Sequence, residues 1–399
     1  MSGRPQLTTI EALRGLAASS VVVFHVARHL DRNTAAPALI AATRFGHAGV
    51  DVFFVLSGFV ILFVHRADIG RPEHLAHYAR RRATRILPTY WIALAATLLV
   101  SVAAGHGFPP VAAVLWSASL LPSFAEPLLG VAWTLKHEAV FYAAFCILIL
   151  NRQAGLGAMA LWLAAILLRA CGWLLPGTAL PSTLFAPINL QFFFGMAVAW
   201  QLGRRVPRPR TILAAGIGLF VLAAAADDAG VFDATTAWGW LPYGAASAML
   251  VLGLVEAERT GLLASPGWLQ SLGAASYVIY LFQFVLIGIA WHLLLAAFSA
   301  AQPVWLPFAV LVACTLLGGI ALRQLVERPL LRALRPRARR IEAPSTKANS
   351  SLLDRLRCPL LLAGVDGPVV KREAGEGTLA CLTVGPQALD PLLPEARAE

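Results

Sequence analysis

Apolar runs of about twenty residues recur along most of this chain, from Leu7 to the low 320s. A run of that length spans a bilayer as a helix, because only a helix or a closed barrel satisfies its own backbone polar groups in lipid. The composition agrees: 58% of residues are hydrophobic and 13% charged, against roughly 25% charged in soluble domains. An ordinary soluble fold is excluded. The expected class is all-α, a polytopic integral membrane protein with about ten spans. They fall near 9–29, 48–65, 84–104, 134–150, 156–174, 183–202, 211–226, 240–255, 275–298 and 304–324. An apolar piece at 110–121, bounded by Pro109, Pro110 and Pro122, is too short to cross.

The net charge of +11 reads as topology rather than nucleic-acid binding, because the arginines flank the apolar runs. Arg66, Arg71, Arg80, Arg81, Arg82 and Arg85 follow the second run. Arg204, Arg205, Arg208 and Arg210 follow the sixth, and Arg328, Arg332, Arg335, Arg337, Arg339 and Arg340 follow the last. The loop after the seventh is acidic, with Asp227, Asp228 and Asp233, and the loops near 175–183 and 299–303 are uncharged. Positive-inside asymmetry therefore puts both termini in the cytoplasm. One loop disagrees: the first holds Arg28, Arg32 and Arg44. Arg14 interrupts the first run, which reads as a retained span rather than a signal peptide. Residues 1–335 form the transmembrane domain, and 336–399 a basic, then mostly disordered cytoplasmic tail. The five cysteines have no paired spacing, so neither a disulfide framework nor a metal site is expected.

Ionisable residues inside spans are costly and mark function by default. The first run, LTTIEALRGLAASSVVVFHVARHL, carries Glu11, Arg14 and His25. At about 100° and 1.5 Å per residue, Arg14 and His25 share one stripe, roughly 16 Å apart. The span directions put His25, Asp51 and Glu138, on three helices, in the outer half, with Trp133, Lys136 and His137 beside them. Gln191 and Gln283 fall near mid-depth. Plainer readings exist for several. Thr8 and Glu11 fit a capping box, Asp51 fits a helix cap, Ser57-Gly58 fits close helix packing, and Lys136 and His137 fit the outer surface. The cluster RRRATR before Pro88 is denser than orientation needs and suits a polyphosphate such as coenzyme A.

Ordered motifs along the chain resemble those of the bacterial membrane-bound acyltransferase 3 family, most nearly its exopolysaccharide-modifying branch. They are EALRGLAASSVVVFH, GVDVFFVLSGF, RRRATRILPTYW, WTLKHEAVFY, LGAASYVIYLF and VERP, covering residues 7 to about 335. The resemblance implies about ten spans in the bacterial inner membrane. It also implies an acyl-CoA donor, usually acetyl-CoA, as co-substrate with no permanently bound cofactor, and a glycan or lipid-linked saccharide acceptor. Arg14 and His25 become the pair associated with activity. Many members carry His where this chain has Gln283.

The resulting expectation is O-acyl transfer with His25 as general base, and Asp51 or Glu138 fixing its tautomer. Arg14, Arg82 and Arg85 would take the donor's phosphates, with Trp133, Tyr142, Ser276, Tyr277 and Gln283 around the substrates. Neither nucleic acid nor metal is expected to take part. The rivals are a proton-coupled transporter of a small anion and a flippase or polymerase accessory for lipid-linked sugars, neither of which needs a thioester.

Overall fold

The computed structural model describes residues 7–122, 125–173, 182–202, 208–233, 236, 238–294 and 303–334. The expected cytoplasmic tail, with Cys358 and Cys381, lies outside the described residues, as do Arg204, Arg205 and most of the two uncharged loops. The described residues are helical and contain no strand. Nine of their helical segments are long and apolar enough to cross a membrane, so the chain is an all-α, multi-pass membrane protein.

In chain order the helices are α1 (Thr8–Thr34), α2 (Pro37–Thr43), α3 (Gly49–His65), α4 (Leu75–Ala103) and α5 (Val111–Ser119). Then come α6 (Trp133–Leu150), α7 (Arg152–Ala170), α8 (Ser182–Phe185), α9 (Leu190–Gln201) and α10 (Pro209–Asp228). The last are α11 (Trp240–Arg259), α12 (Gly267–Leu294), α13 (Trp305–Leu322) and α14 (Arg328–Leu334). A five-residue π-helical turn, Arg323–Glu327, joins α13 to α14.

Two expected segments differ in detail. The span at 183–202 is broken into α8, a 3-10 turn at Pro187–Asn189 and the 12-residue α9, because proline at 187 stops the preceding helix. The span at 84–104 begins earlier, at Leu75, so Arg80, Arg81, Arg82 and Arg85 ride on α4 instead of a loop. Pro88 sits inside α4, a position that membrane helices accept when neighbours satisfy the freed carbonyl.

The first helix is the hub. It packs on α12 most extensively and also meets α3, α11 and α13. The spans of α1, α3 and α12 are the most buried in the bundle and that of α10 the least. Where α1 crosses α12, glycine faces glycine: a Cβ on Gly15 would lie 2.8 Å from the Gly273 amide nitrogen, and one on Gly273 would collide with the Glu11 backbone. Small residues let membrane helices approach at backbone distance, and Gly58 does the same for α3 against the Phe192 backbone of α9.

The expected capping box at Thr8 and Glu11 does not form, and no side chain of Leu7 caps α1. Glu258, at the end of α11, takes that role. One of its oxygens accepts from the Thr8 backbone N (2.8 Å) and Oγ1 (2.6 Å), and the other from the Thr9 backbone N (3.0 Å) and Oγ1 (2.5 Å). A carboxylate at a helix N-terminus satisfies orphan N–H groups and complements the dipole. Glu258→Ala is expected to cost about 1–2 kcal/mol, read as a fall in thermal midpoint of the detergent-solubilised protein with α1 retained by circular dichroism.

Candidate active site

Helical spacing turns six helices toward one cavity of about 130 Å³. Arg82, Arg85 and Ile86 on α4, Glu138 and Tyr142 on α6, and Ser276, Tyr277 and Tyr280 on α12 recur at intervals of one, three or four residues, each set on a single face. Arg14 from α1 and Ser57 from α3 complete the polar lining, and Phe54 and Phe192 supply apolar wall. Arg14 thus faces the cavity interior, where Arg85, Glu11 and Glu138 all lie within its electrostatic reach.

Glu138 is the cavity's acceptor. Its Oε1 receives hydrogen bonds from Ser57 Oγ (3.0 Å) and from the Tyr142 hydroxyl. Across from it, Tyr277 OH donates to the Ile86 carbonyl (2.9 Å), and Tyr280 OH lies 2.9 Å from Thr134 Oγ1 and 3.2 Å from the Val131 carbonyl. Ser276 Oγ is buried with no hydrogen-bond partner among the described residues. A buried hydroxyl left open in a polar cavity is placed to meet a ligand atom.

Arg82 is held by a relay that sequence reasoning missed. Its Nη2 donates to His65 Nε2 (2.9 Å), His65 Nδ1 donates to Asp68 Oδ2 (2.7 Å), and His74 Nδ1 donates to Asp68 Oδ1 (2.6 Å). The guanidinium also lies 5.7 Å from the Tyr142 ring centroid and 5.9 Å from that of Tyr78, within cation–π range. The available signal was the His-x-x-Asp spacing of His65 and Asp68 directly before the arginine cluster.

His25 lies outside the cavity lining. Its Nδ1 is 2.9 Å from Gln283 Oε1, and Gln283 Nε2 donates to the Tyr280 carbonyl at 2.9 Å. The carbonyl can only accept, so the Gln283 amide nitrogen faces it and Oε1 faces the histidine. Nδ1 therefore carries the proton, and Nε2 keeps its lone pair. The expectation that Asp51 or Glu138 would orient His25 is corrected: Gln283 does so. Ser276, Tyr280 and Gln283 lie on one stripe of α12, as Arg14 and His25 lie on one stripe of α1. The two most closely packed helices thus run polar residues from the cavity to the histidine.

The convergence expected of His25, Asp51 and Glu138 on one site does not occur either: each has different partners. Glu138 lies beyond the first turn of α6, facing the Arg14 cavity. Asp51 is fully buried, accepts from Gln191 Nε2 and keeps Oδ2 without a hydrogen-bond partner among the described residues. It does not cap α3, which follows Ala48 without a side-chain cap. Depth along a helix says nothing about azimuth, and azimuth separated the three. Lys136 and His137 are buried as well, not surface residues: Lys136 Nζ donates to the Ala125 carbonyl (2.9 Å), and His137 Nδ1 lies 2.9 Å from Asn189 Oδ1. Trp133 stands behind the wall, against Phe54 and His137, and does not line the cavity.

The acyltransferase 3 family model, described as an acyltransferase domain, matches residues 7–324. The chain belongs to the acyltransferase 3 family. Being a member of it, the protein is a membrane enzyme that transfers acyl groups. It is 34% identical over 330 residues to the exopolysaccharide production protein ExoZ of Rhizobium meliloti, covering 76% of this chain and 96% of that one. It is 25% identical over 373 residues to the acyltransferase MdmB of Streptomyces mycarofaciens, covering 82% and 92% of the two chains. No solved structure matches the chain.

Proposed function

We propose that this acyltransferase moves an acyl group, acetyl by preference, from acyl-CoA to a hydroxyl of a cell-surface or exported polysaccharide or glycolipid. It would sit in the bacterial inner membrane with the Arg82–Arg85 end and both termini facing the cytoplasm. The observation that carries the reading is the tautomer of His25, a neutral imidazole with Nε2 available, joined by two polar stripes to a cavity rich in arginine. The name of ExoZ, a protein of exopolysaccharide production, supports the acceptor class.

In this reading Arg82 and Arg85 take donor phosphates, Arg82 held in place by His65 and Asp68. Arg14 and the hydroxyls of Tyr142, Ser276 and Tyr277 guide the pantetheine arm toward His25. The acceptor hydroxyl gives its proton to His25 Nε2 as its oxygen attacks the thioester carbonyl carbon. The C–O bond forms and the C–S bond breaks. The thiolate then takes the proton from the imidazolium and leaves as the free thiol of coenzyme A, so protons and electrons balance. Gln283 is a positioning residue: it selects the tautomer and contributes no charge. Gln283→Leu is expected to lower kcat about 10- to 100-fold, the equivalent of one strong hydrogen bond of about 1.5–3 kcal/mol to a group that becomes charged. Donor KM should change little.

The deciding experiment supplies purified enzyme with acetyl-CoA labelled in the acetyl group and a de-O-acylated oligosaccharide of the host's exopolysaccharide. Free thiol released in step with label entering the saccharide supports the reading. Uptake of a small anion into proteoliposomes without thiol release would instead establish a transporter, and lipid-linked sugar crossing the bilayer without label transfer a flippase.

A further inference from the structure

A second cavity opens at the C-terminal end of α1, with a volume of about 430 Å³, roomier than the first. One wall is Phe24, Arg28, Asp31 and Arg32. At intervals of four, three and one residues these share one face of α1, and His25 lies beside them, about 20° round from Arg32. The rings of Phe24 and His25 pack at 5.4 Å between centroids. Arg28 and Arg32 both lie within electrostatic reach of His25, roughly 4.5 and 10.5 Å further along the helix axis.

The opposite wall is already committed. Asp227 accepts from the Tyr243 hydroxyl (3.1 Å) and pairs with His47 Nε2 (2.8 Å), while Arg44 Nε lies 3.9 Å from Asp228 Oδ1. On α1 the situation is the reverse. Among the described residues, the side chains of Arg28, Asp31 and Arg32 have no hydrogen-bond or ion-pair partner, and Arg28 meets only the Phe24 ring, 5.5 Å from its centroid. These are also the arginines that break the charge asymmetry of the loops, so topology does not account for them.

We propose that this cleft is the acceptor subsite and holds one pyranoside residue of a saccharide, with the reacting hydroxyl directed at His25. This rests on the acyl-transfer reading above. Sugar hydroxyls are donors and acceptors at once, and the open groups supply both: guanidinium forks that only donate and an aspartate that only accepts. Phe24, which lines the same wall beneath Arg28, adds apolar surface beside them. A thioester group has no donor to give Asp31. The two substrates then approach His25 from opposite ends of the bundle: the donor from the arginine cavity, the acceptor from the cleft. The acyl group crosses to the acceptor without either substrate crossing.

The test compares wild type with Arg28→Gln, Arg32→Gln and Asp31→Asn, all changes at the cleft wall. The probe is a repeat-unit oligosaccharide hydrolysed from the host's exopolysaccharide and de-O-acylated. Acceptor KM is expected to rise at least tenfold in Arg32→Gln and Asp31→Asn, with donor KM and the thermal midpoint unchanged. An unchanged acceptor KM in all three, or a parallel rise in donor KM, overturns the subsite. Titrating the same oligosaccharide into donor-free enzyme reads the cleft without any transfer. Binding by wild type that weakens in the variants supports the subsite even where no transfer is seen, which would count against the acyl-transfer reading alone. Equal binding by all four proteins, or none by wild type, overturns the subsite.

Discussion

Replacing His25 by alanine is expected to lower acyl transfer by about 10²- to 10⁴-fold, the span that positioned acid–base groups contribute. Substrate binding at both ends should survive, because the imidazole lies outside the lining of the arginine cavity and, among the described side chains, hydrogen-bonds Gln283 alone. The measurement is kcat with labelled acetyl-CoA, alongside the thermal midpoint and donor affinity. His25→Asn sharpens it, since an amide keeps a donor for Gln283 Oε1 while providing no base near neutral pH. The asparagine variant should therefore be as inactive as the alanine variant and more stable. Near-wild-type transfer by either variant in well-folded form would exclude the general-base mechanism.

The second large effect is expected at Glu138. Its Oε1 receives both the Ser57 and the Tyr142 hydroxyls, and it faces Arg14 across the cavity. Glu138→Ala leaves two hydroxyls without their acceptor and removes one of the two carboxylates, Glu11 and Glu138, within electrostatic reach of the Arg14 guanidinium. Hydrogen bonds to a charged group are worth about 1.5–3 kcal/mol each. A loss of about 3 kcal/mol or more is therefore expected, seen as a markedly lower thermal midpoint and poor yield. Glu138→Gln keeps an acceptor oxygen for the hydroxyls but removes the charge. It should recover most of the stability while donor KM stays raised, because Arg14 keeps only Glu11 as a nearby carboxylate. Equal stability of the alanine and glutamine variants would show that Glu138 does not organise the cavity.

Much of the outline was legible from the chain alone. Lipid forces long apolar helices, so the hydropathy pattern marked all nine spanning segments of the described residues, plus one at 183–202 that Pro187 breaks, and it marked Val111–Ser119 as too short to cross. The ionisable residues stood out for the same reason. Of the residues singled out as site candidates, Arg14, Arg82, Arg85, Glu138, Tyr142, Ser276 and Tyr277 meet around one cavity. Local readings fared worse. The Thr8–Glu11 spacing fits a capping box, yet Glu258, distant in sequence, displaced it with a charged oxygen for each of two threonines. Ser57 read as packing, but its hydroxyl turned to Glu138. His65 and Asp68 carried a His-x-x-Asp spacing, but spacing alone does not show that they meet Arg82.

The line between the two kinds of knowledge is a physical one. Which segments cross the membrane, and which polar residues travel with them, follows from the free energy of placing each residue in hydrocarbon, a property that adds along the chain. Which polar residues meet depends on how each helix is rotated about its axis, and that is decided by its neighbours. Close packing at Gly15 and Gly273 brings α1 and α12 to backbone distance, and that contact gives His25 its partner in Gln283 rather than a carboxylate. That Arg14 and His25 share a stripe follows from their spacing along the chain. That the arginine opens onto Glu138 and the α4 arginines, while the histidine is held by an amide, follows from how the helices pack.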